Sequence, residues 1–358
     1  MTTMTALVLR EFGTMAVEQV PHAAIGEDEV QIAVSHTGIC GSDVHGFTGE
    51  NGRRFPGQVM GHESEGTIAA LGAGVSPELF PHGQRVTFNP VVVPVEDAEA
   101  FDGREQHCPR KHVIGVRADL PAAFADLVVV PARNVVPIHP EAPRGSGALV
   151  EPLAVAAHAV RRSSVVAAQR VLVAGGGPIG QSLVIALRMT GVEQIVVSEP
   201  DPARRDLVAL LGAIAVDPLA ADSAVYDGVV AAFGAPADVA FDAVGVSATL
   251  ANCLAAVSLG GTVCLVGMGA PHVDLDAFSV STAERTIVGT FTYSADAFRE
   301  ASRWIEQPGL GIEHLISAVI SPHEAPAMFT QLAEGHGPAG KVLVAFNEPG
   351  AARGEETS

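Results

Sequence analysis

Along this chain of 358 residues the rhythm of apolar and polar positions changes once, near residue 147. Before that point apolar residues come in short runs broken by Gly and Pro, as in Ala6-Leu7-Val8-Leu9, Glu29-Val30-Gln31-Ile32-Ala33-Val34 and Arg85-Val86-Thr87-Phe88. Runs of this length and spacing predict strands and turns arranged as a small barrel. Beyond it, short β-branched runs alternate with longer stretches. Segments 171–174, 194–198, 239–244, 261–266 and 286–291 are predicted strands, with helices at 178–189, 203–211 and 248–257 between them. Such alternation predicts a parallel sheet with helices on both faces. Two more helices, 296–306 and 323–334, and a strand at 341–346 follow. The stretch 347–358 is polar and Gly-rich and predicted to be disordered. There is no internal repeat and no low-complexity tract.

Composition narrows the function. The length predicts two domains, and 48% apolar residues allow large cores. The net charge is −19 and Lys111 and Lys341 are the only lysines, so there is no basic stripe for nucleic acid. An acidic surface also disfavours anionic membranes. No apolar stretch approaches the roughly 18 residues of a membrane span, and the first residues lack a signal-peptide pattern. A cytoplasmic location is expected. Four cysteines are too few for a disulfide framework in a chain this long. Cys253 and Cys264 lie in apolar helix and strand patterns and read as core fillers.

Two motifs carry chemistry. Cys40-Gly41-Ser42-Asp43-Val44-His45 is followed by Gly61-His62-Glu63. Thiolate, imidazole and carboxylate are the donors of a catalytic zinc that keeps one position open. Cys40, His62 and Glu63 are therefore candidate ligands. The hydroxyl of Ser42 and the ring of His45 sit beside the cysteine, where they would pass a proton outward. The second motif, Gly175-Gly176-Gly177-Pro178-Ile179-Gly180, directly follows the apolar run 170–174. A glycine-rich turn between strand and helix cradles the pyrophosphate of a dinucleotide. Gly175 allows the tight turn, Gly177 the approach of phosphate, and Gly180 the packing of the helix on the sheet. Pro178 and Ile179 open that helix, whose N-terminus faces the phosphates. Glu199 lies nineteen residues beyond Gly180, at the end of the next strand. A carboxylate there accepts bonds from ribose hydroxyls and repels a 2′-phosphate, so NAD is expected over NADP. Arg204 and Arg205 are the opposing signal. Val244, Val266 and Gly267 end later strands of the same sheet and are expected to line the nicotinamide half. Metal and dinucleotide together imply hydride chemistry on an alcohol or carbonyl.

The ordered set Cys-x-Ser-Asp-x-His, Gly-His-Glu-x-x-Gly and the glycine turn resembles the zinc-dependent medium-chain dehydrogenase/reductase superfamily. Within it, the chain is most similar to the branch of sorbitol, butanediol and threonine dehydrogenases, from Ala6 to Phe346. The resemblance implies an α/β chain: a discontinuous GroES-like β-barrel catalytic domain plus a Rossmann domain with a doubly wound parallel sheet. The boundaries expected are 1–147 for the first part of the catalytic domain, 148–287 for the Rossmann domain, 288–346 for the return, and 347–358 for a tail. It implies that Cys40 and His62 bind zinc, that Glu63 binds it directly or intermittently, and that Glu151, in Glu151-Pro152, adds a second carboxylate. It makes Asp43 the partner of His62, Ser42 and His45 a proton relay, and Thr290 a neighbour of the nicotinamide. It further implies a small alcohol or carbonyl substrate and assembly as a homodimer or homotetramer.

Departures from that pattern sharpen the picture. Sorbitol-type enzymes carry an aromatic directly after the relay histidine, where this chain has Gly46-Phe47, and an arginine before the tyrosine, where it has Thr292-Tyr293. An arginine there would hold several hydroxyls of a long polyol, so its absence favours a smaller diol or hydroxyketone. Relatives with a second, structural zinc place four cysteines at offsets of four, seven, ten and eighteen from an Asn-Pro proline. Counted from Pro90, those positions are Pro94, Asp97, Ala100 and Cys108. One zinc per chain is expected, with no structural zinc. The alternatives are a zinc-free quinone reductase-type enzyme and a non-catalytic dinucleotide-binding protein. The retained ligands argue against the first, and the retained Ser42 and His45 against the second.

Overall fold

A computed structural model describes residues 3–50, 52–221 and 224–347. The chain forms two compact units, Met1–Val150 with Ile316–Ser358, and Glu151–Leu315. The predicted tail, apart from Asn347, lies outside the described residues.

In the first unit a seven-stranded sheet runs in the order Val135–Pro137, Arg85–Phe88, Ser64–Leu71, Glu29–Gly38, Lys341–Ala345, Ile316–Ile320, with Leu127–Pro131 also paired to Glu29–Gly38. A three-stranded sheet of Thr14–Pro21, Thr3–Glu11 and Gln58–Val59 accompanies it. The core explains why the unit is discontinuous. Leu7, Leu9, Phe47, Met60 and Phe124 from the first segment pack with Phe329, Val342 and Val344 from the last. The Phe329 ring stands 5.5 Å from Phe47 and 5.7 Å from Phe124, tilted to one and edge-on to the other. The helix Ala325–Ala333 and the strand Lys341–Ala345 thus close a core that residues before 150 leave open.

The second unit is a six-stranded sheet in which every pair is parallel, ordered Ile214–Val216, Gln194–Ser198, Arg170–Ala174, Ala237–Asp242, Val257–Leu265, Thr286–Gly289. The order reverses beside Arg170–Ala174, the position at which open α/β sheets bind ligands. The helices Pro178–Met189, Pro202–Leu210 and Ser247–Ala256 fall where the apolar pattern places them. The helix Ala224–Phe233 and the short strand Ile214–Val216 carried no usable pattern. That helix is apolar nearly all round and has Gly228 at its centre, where a Cβ would come 2.7 Å from Val216.

Residues 288–315 differ from the expectation that they return to the barrel. They cluster with the second unit, and the return starts at Ile316. The helix Ala295–Trp304 buries Phe298, Ala301 and Trp304. Within that unit Tyr293 donates to Glu151 and Glu300 pairs with Arg161. Those contacts hold the segment to the helix Val150–Ser163, a partner that local periodicity does not reveal.

Because Phe329 is fully buried among two other rings, Phe329→Ala removes the centre of the shared core. Such truncations cost about 3–5 kcal/mol. Calorimetry is expected to show the first unit unfolding at lower temperature while the transition of the second is unchanged.

Candidate functional site

The first motif folds as a strand end, a turn and a short helix, Gly41–Thr48, with Cys40 as its N-cap. Glycine at 49 takes a left-handed conformation and ends the helix. His62 and Glu63 directly precede the strand Ser64–Leu71. Pairing of that strand with Glu29–Gly38, Ser64 opposite Thr37, carries them back beside Cys40. Donor atoms of Cys40, His62 and Glu63 consequently lie within 4.8 Å of one another.

Asp43 organises this group. It is fully buried, and Oδ1 accepts from Arg54 Nη2 at 3.2 Å while His62 Nδ1 faces the same oxygen at 3.5 Å. Its Oδ2 receives the Cys40 amide at 3.4 Å. Burial alone would raise the carboxyl pKa. The charges and hydrogen bonds of His62 and Arg54 instead hold it below the usual range. Burial would likewise lower the His62 imidazole, but Asp43, and then Cys40, hold it well above the ordinary value. With Nδ1 turned to Asp43, His62 presents Nε2 as its donor nitrogen, the usual arrangement of a metal-binding histidine.

Glu63 has a partner that the motif did not predict. Both carboxylate oxygens lie near Lys341 Nζ, at 2.8 and 2.6 Å, and the same ammonium donates to the Ile39 carbonyl at 3.3 Å. Lys341 is 3% exposed at the start of the last strand of the unit. One of two lysines in the chain, heading an apolar strand, was the available signal. His45 is half-exposed on the helix, and its Nδ1 lies 3.0 Å from Glu50 Oε2. The left-handed turn at Gly49 brings Glu50 back to its ring, with the Glu50 amide on the His45 carbonyl. The hydrogen bond from His45 holds the Glu50 carboxyl below its usual pKa. Ser42 sits on the first turn, half-buried. The departure at Gly46-Phe47 has a plain geometry: Phe47 points into the core, and Arg54 occupies the space over Gly46.

The second unit assembles the other motif. Gly175 has φ +99°, and a Cβ on Gly180 would fall 1.9 Å from the Gly175 carbonyl oxygen, so neither tolerates a side chain. Gly177, before Pro178 and Ile179, leaves open space in front of the helix Pro178–Met189, with Arg204 Nη1 3.8 Å from where its Cβ would be. Glu199 is buried, and its two oxygens accept from the amides of Gly176 at 2.7 Å and Asp201 at 2.8 Å. The residue proposed for ribose thus also holds the glycine turn. Arg205 is committed to the carbonyls of Glu199 and Pro200 and to Asp217. Val244, Val266, Gly267 and Thr290 follow the C-terminal ends of three adjacent strands, as expected. The hydroxyls of Thr290 and Thr292 are buried without a hydrogen-bond partner, and Thr292 has φ +51°. Glu151 belongs to this unit and accepts from the Tyr293 hydroxyl at 2.9 Å.

In the segment after Pro90, Cys108 is buried with Sγ 3.6 Å from Asp97. Arg110 grips Asp97 at 2.6 Å and reaches Glu96 at 2.9 Å. Cys253 and Cys264 are core residues as expected, their thiols pushed up by burial, Cys264 to about 12.

Residues 26–140 match the family described as alcohol dehydrogenase GroES-like domain, and residues 178–307 match zinc-binding dehydrogenase. The chain is 32% identical over 321 residues to a 2-dehydro-3-deoxy-L-galactonate 5-dehydrogenase of Pseudoalteromonas atlantica, covering 89% of this chain and 92% of the relative. It is 30% identical over 337 residues to the L-galactonate-5-dehydrogenase of Escherichia coli K12, covering 93% and 94%. Among solved structures it resembles 2R,3R-butanediol dehydrogenase from Bacillus subtilis, with TM-score 0.85, 27% identity and coverage of 96% and 100%. A zinc-binding dehydrogenase from Sinorhizobium meliloti 1021 bound to NADP gives TM-score 0.84, 29% identity and coverage of 97% and 100%.

A methyl group at position 180 would overpack the turn, which costs about 1–3 kcal/mol. Expressed in the shape of the turn, that is about a 5- to 150-fold loss of dinucleotide affinity. Fluorescence titration of Gly180→Ala with NADH measures it, and zinc content is expected to stay unchanged.

Proposed function

The chain belongs to the zinc-dependent medium-chain dehydrogenase/reductase superfamily, and we propose that it oxidises a secondary alcohol flanked by a hydroxyl, using NAD, with carbonyl reduction as the reverse. One observation carries this reading: a sulfur, an imidazole and a carboxylate converge within 4.8 Å beside a helix that bears Ser42 and His45. That donor set fits a catalytic zinc, with room for exchange because three protein ligands leave the tetrahedron incomplete. Cys40, His62 and Glu63 would hold the metal. Glu63 has to loosen its hold on Lys341 to do so, which suits intermittent binding.

Bound zinc supplies a Lewis acid that acidifies the alcohol, and bound NAD supplies the hydride acceptor. The chain does the rest. Ser42 Oγ takes the alcohol proton and passes it to His45, on the same helix. Glu50 engages His45 Nδ1, so Nε2 is the nitrogen that carries the proton towards solvent. Asp43 keeps the His62 ring aimed. In the second unit the glycine turn takes the pyrophosphate and Glu199 the ribose hydroxyls. The carboxylate of Glu199 supports NAD over NADP. Arg204, beside Gly177, is the group that would favour phosphate once that carboxylate is gone. The names of the relatives, which act on sugar acids and butanediol, support a substrate with adjacent hydroxyls. Thr292 in place of an arginine supports a small one. A panel of vicinal diols, polyols and aldonic acids tests the class: turnover confined to simple primary alcohols would refute it.

A single zinc per chain is part of this reading. Pro94 and Ala100 offer no donor, and Arg110 places a cation against Asp97 where a metal would otherwise compete. Among the described residues no helix is long and apolar enough to cross a membrane. We place the enzyme in the cytoplasm as a homodimer or homotetramer, which fractionation and light scattering test.

Ser42→Ala is expected to keep fold and zinc while lowering turnover about 10²–10⁴-fold, the usual contribution of a positioned proton acceptor. Steady-state kinetics decides this, and near-normal turnover would remove Ser42 from the relay. Activity is expected to be far higher with NAD than with NADP, and Glu199→Ala to narrow the difference; a wild-type preference for NADP would assign the choice to Arg204 instead. Elemental analysis of washed protein is expected to return about one zinc per chain, as one catalytic donor set implies. A reproducible value near two, with the second ion lost in Cys108→Ser, would contradict it.

A further inference from the structure

Arg54 is a large cation placed where burial works against it. It is 2% exposed, and its Nε has no hydrogen-bond partner. Replacing a buried ion pair by apolar residues is often neutral or stabilising, so a pair of this kind is weak evidence of a stabilising role. The path of its side chain is equally specific. A Cβ on Gly46 would meet Arg54 Cγ at 2.2 Å and Cβ at 2.9 Å. Arg54 therefore crosses the helix Gly41–Thr48 at Gly46, where no side chain stands in its path, and its guanidinium ends on Asp43 Oδ1. That oxygen is also the one His62 Nδ1 faces, while Oδ2 takes the Cys40 amide.

We propose that Arg54 is a positioning residue for the metal site, and that Gly46 is glycine because Arg54 must pass over it. The inference rests on Cys40 and His62 holding zinc, and extends it to two residues that touch no ligand directly. A carboxylate that accepted only from His62 and Cys40 would be free to turn about its Cα–Cβ and Cβ–Cγ bonds. The guanidinium fixes one oxygen in place and balances the buried charge. Asp43 then bonds the His62 ring in one orientation and leaves Nε2 towards the metal. Gly46, which departs from the aromatic of sorbitol-type relatives, and Arg54 are on this view one coupled feature.

The test is metal affinity, measured by competition between the apo-protein and a chromophoric chelator for zinc. Cobalt spectra report the geometry of the donor set. NADH binding reports the fold of the second unit, and circular dichroism that of the whole chain. Arg54→Met keeps the apolar stem and removes the charge. Loss of such an outer partner typically weakens metal binding about 10–100-fold, and that loss is expected here with NADH affinity unchanged. Arg54→Lys, which restores the charge but not the planar fork, is expected to recover part of it. Gly46→Ala adds one methyl group on the Arg54 path and is expected to weaken zinc in the same direction. In the double variant Gly46→Ala/Arg54→Ala the methyl is expected to add nothing to the effect of Arg54→Ala alone. Wild-type zinc affinity in a folded Arg54→Met, or in Gly46→Ala should Arg54→Met fail to fold, would overturn the proposal. A wild-type chain that binds no zinc would overturn both the proposal and the enzymatic reading beneath it.

Discussion

A carboxylate sealed from water persists as an ion only if it is bonded from every side, and Asp43 is the point at which this chain meets that constraint. Its two oxygens reach a backbone amide, a guanidinium and an imidazole. Two of those groups belong to the residues that form the donor set, Cys40 and His62. The helix that starts at Cys40, the turn before Ser64 and the buried Arg54 are thereby tied to one side chain. Loss of that carboxylate would cost the site its geometry before it cost the fold its core, because the apolar clusters around Leu7, Phe47 and Phe329 do not pass through it.

The second unit solves a similar problem with Glu199. Its carboxylate closes the glycine turn through the Gly176 amide and the following turn through Asp201. On the proposed reading, recognition of ribose and the shape of the glycine turn fall to one residue. A substitution at 199 removes the bond to the Gly176 amide, so any change in cofactor preference proposed for such a variant comes with a looser turn. Each unit thus contributes a small, rigid cluster in which a buried acid orients backbone amides.

Much of this was legible in the residues. The glycine turn announces itself because its three fixed glycines answer to steric demands that hold in any context, and the clash distances at Gly175 and Gly180 are those demands made visible. Cys40, His62 and Glu63 were legible because few structural roles need thiol, imidazole and carboxylate at that spacing. Arg54, Glu50 and Lys341 were not. Each acts through a contact set by chain path: Arg54 by crossing a glycine, Glu50 by a left-handed turn, Lys341 by a strand that returns from almost three hundred residues away. The boundary expected at 288 differs from the division at Ile316 for the same reason, since segment 288–315 shows its unit only through contacts such as Tyr293 on Glu151 and Glu300 on Arg161. The helix Ala224–Phe233 escaped because a segment apolar on nearly all sides has little periodicity to read.

Zinc held by Cys40, His62 and Glu63 would be bound through one sulfur and otherwise through nitrogen and oxygen. X-ray absorption at the zinc edge of the loaded protein reads that directly. One sulfur at about 2.3 Å with the remaining scatterers at about 2.0–2.2 Å is the predicted shell. A shell with no sulfur, or with three or four, would contradict it and place the metal elsewhere in the chain.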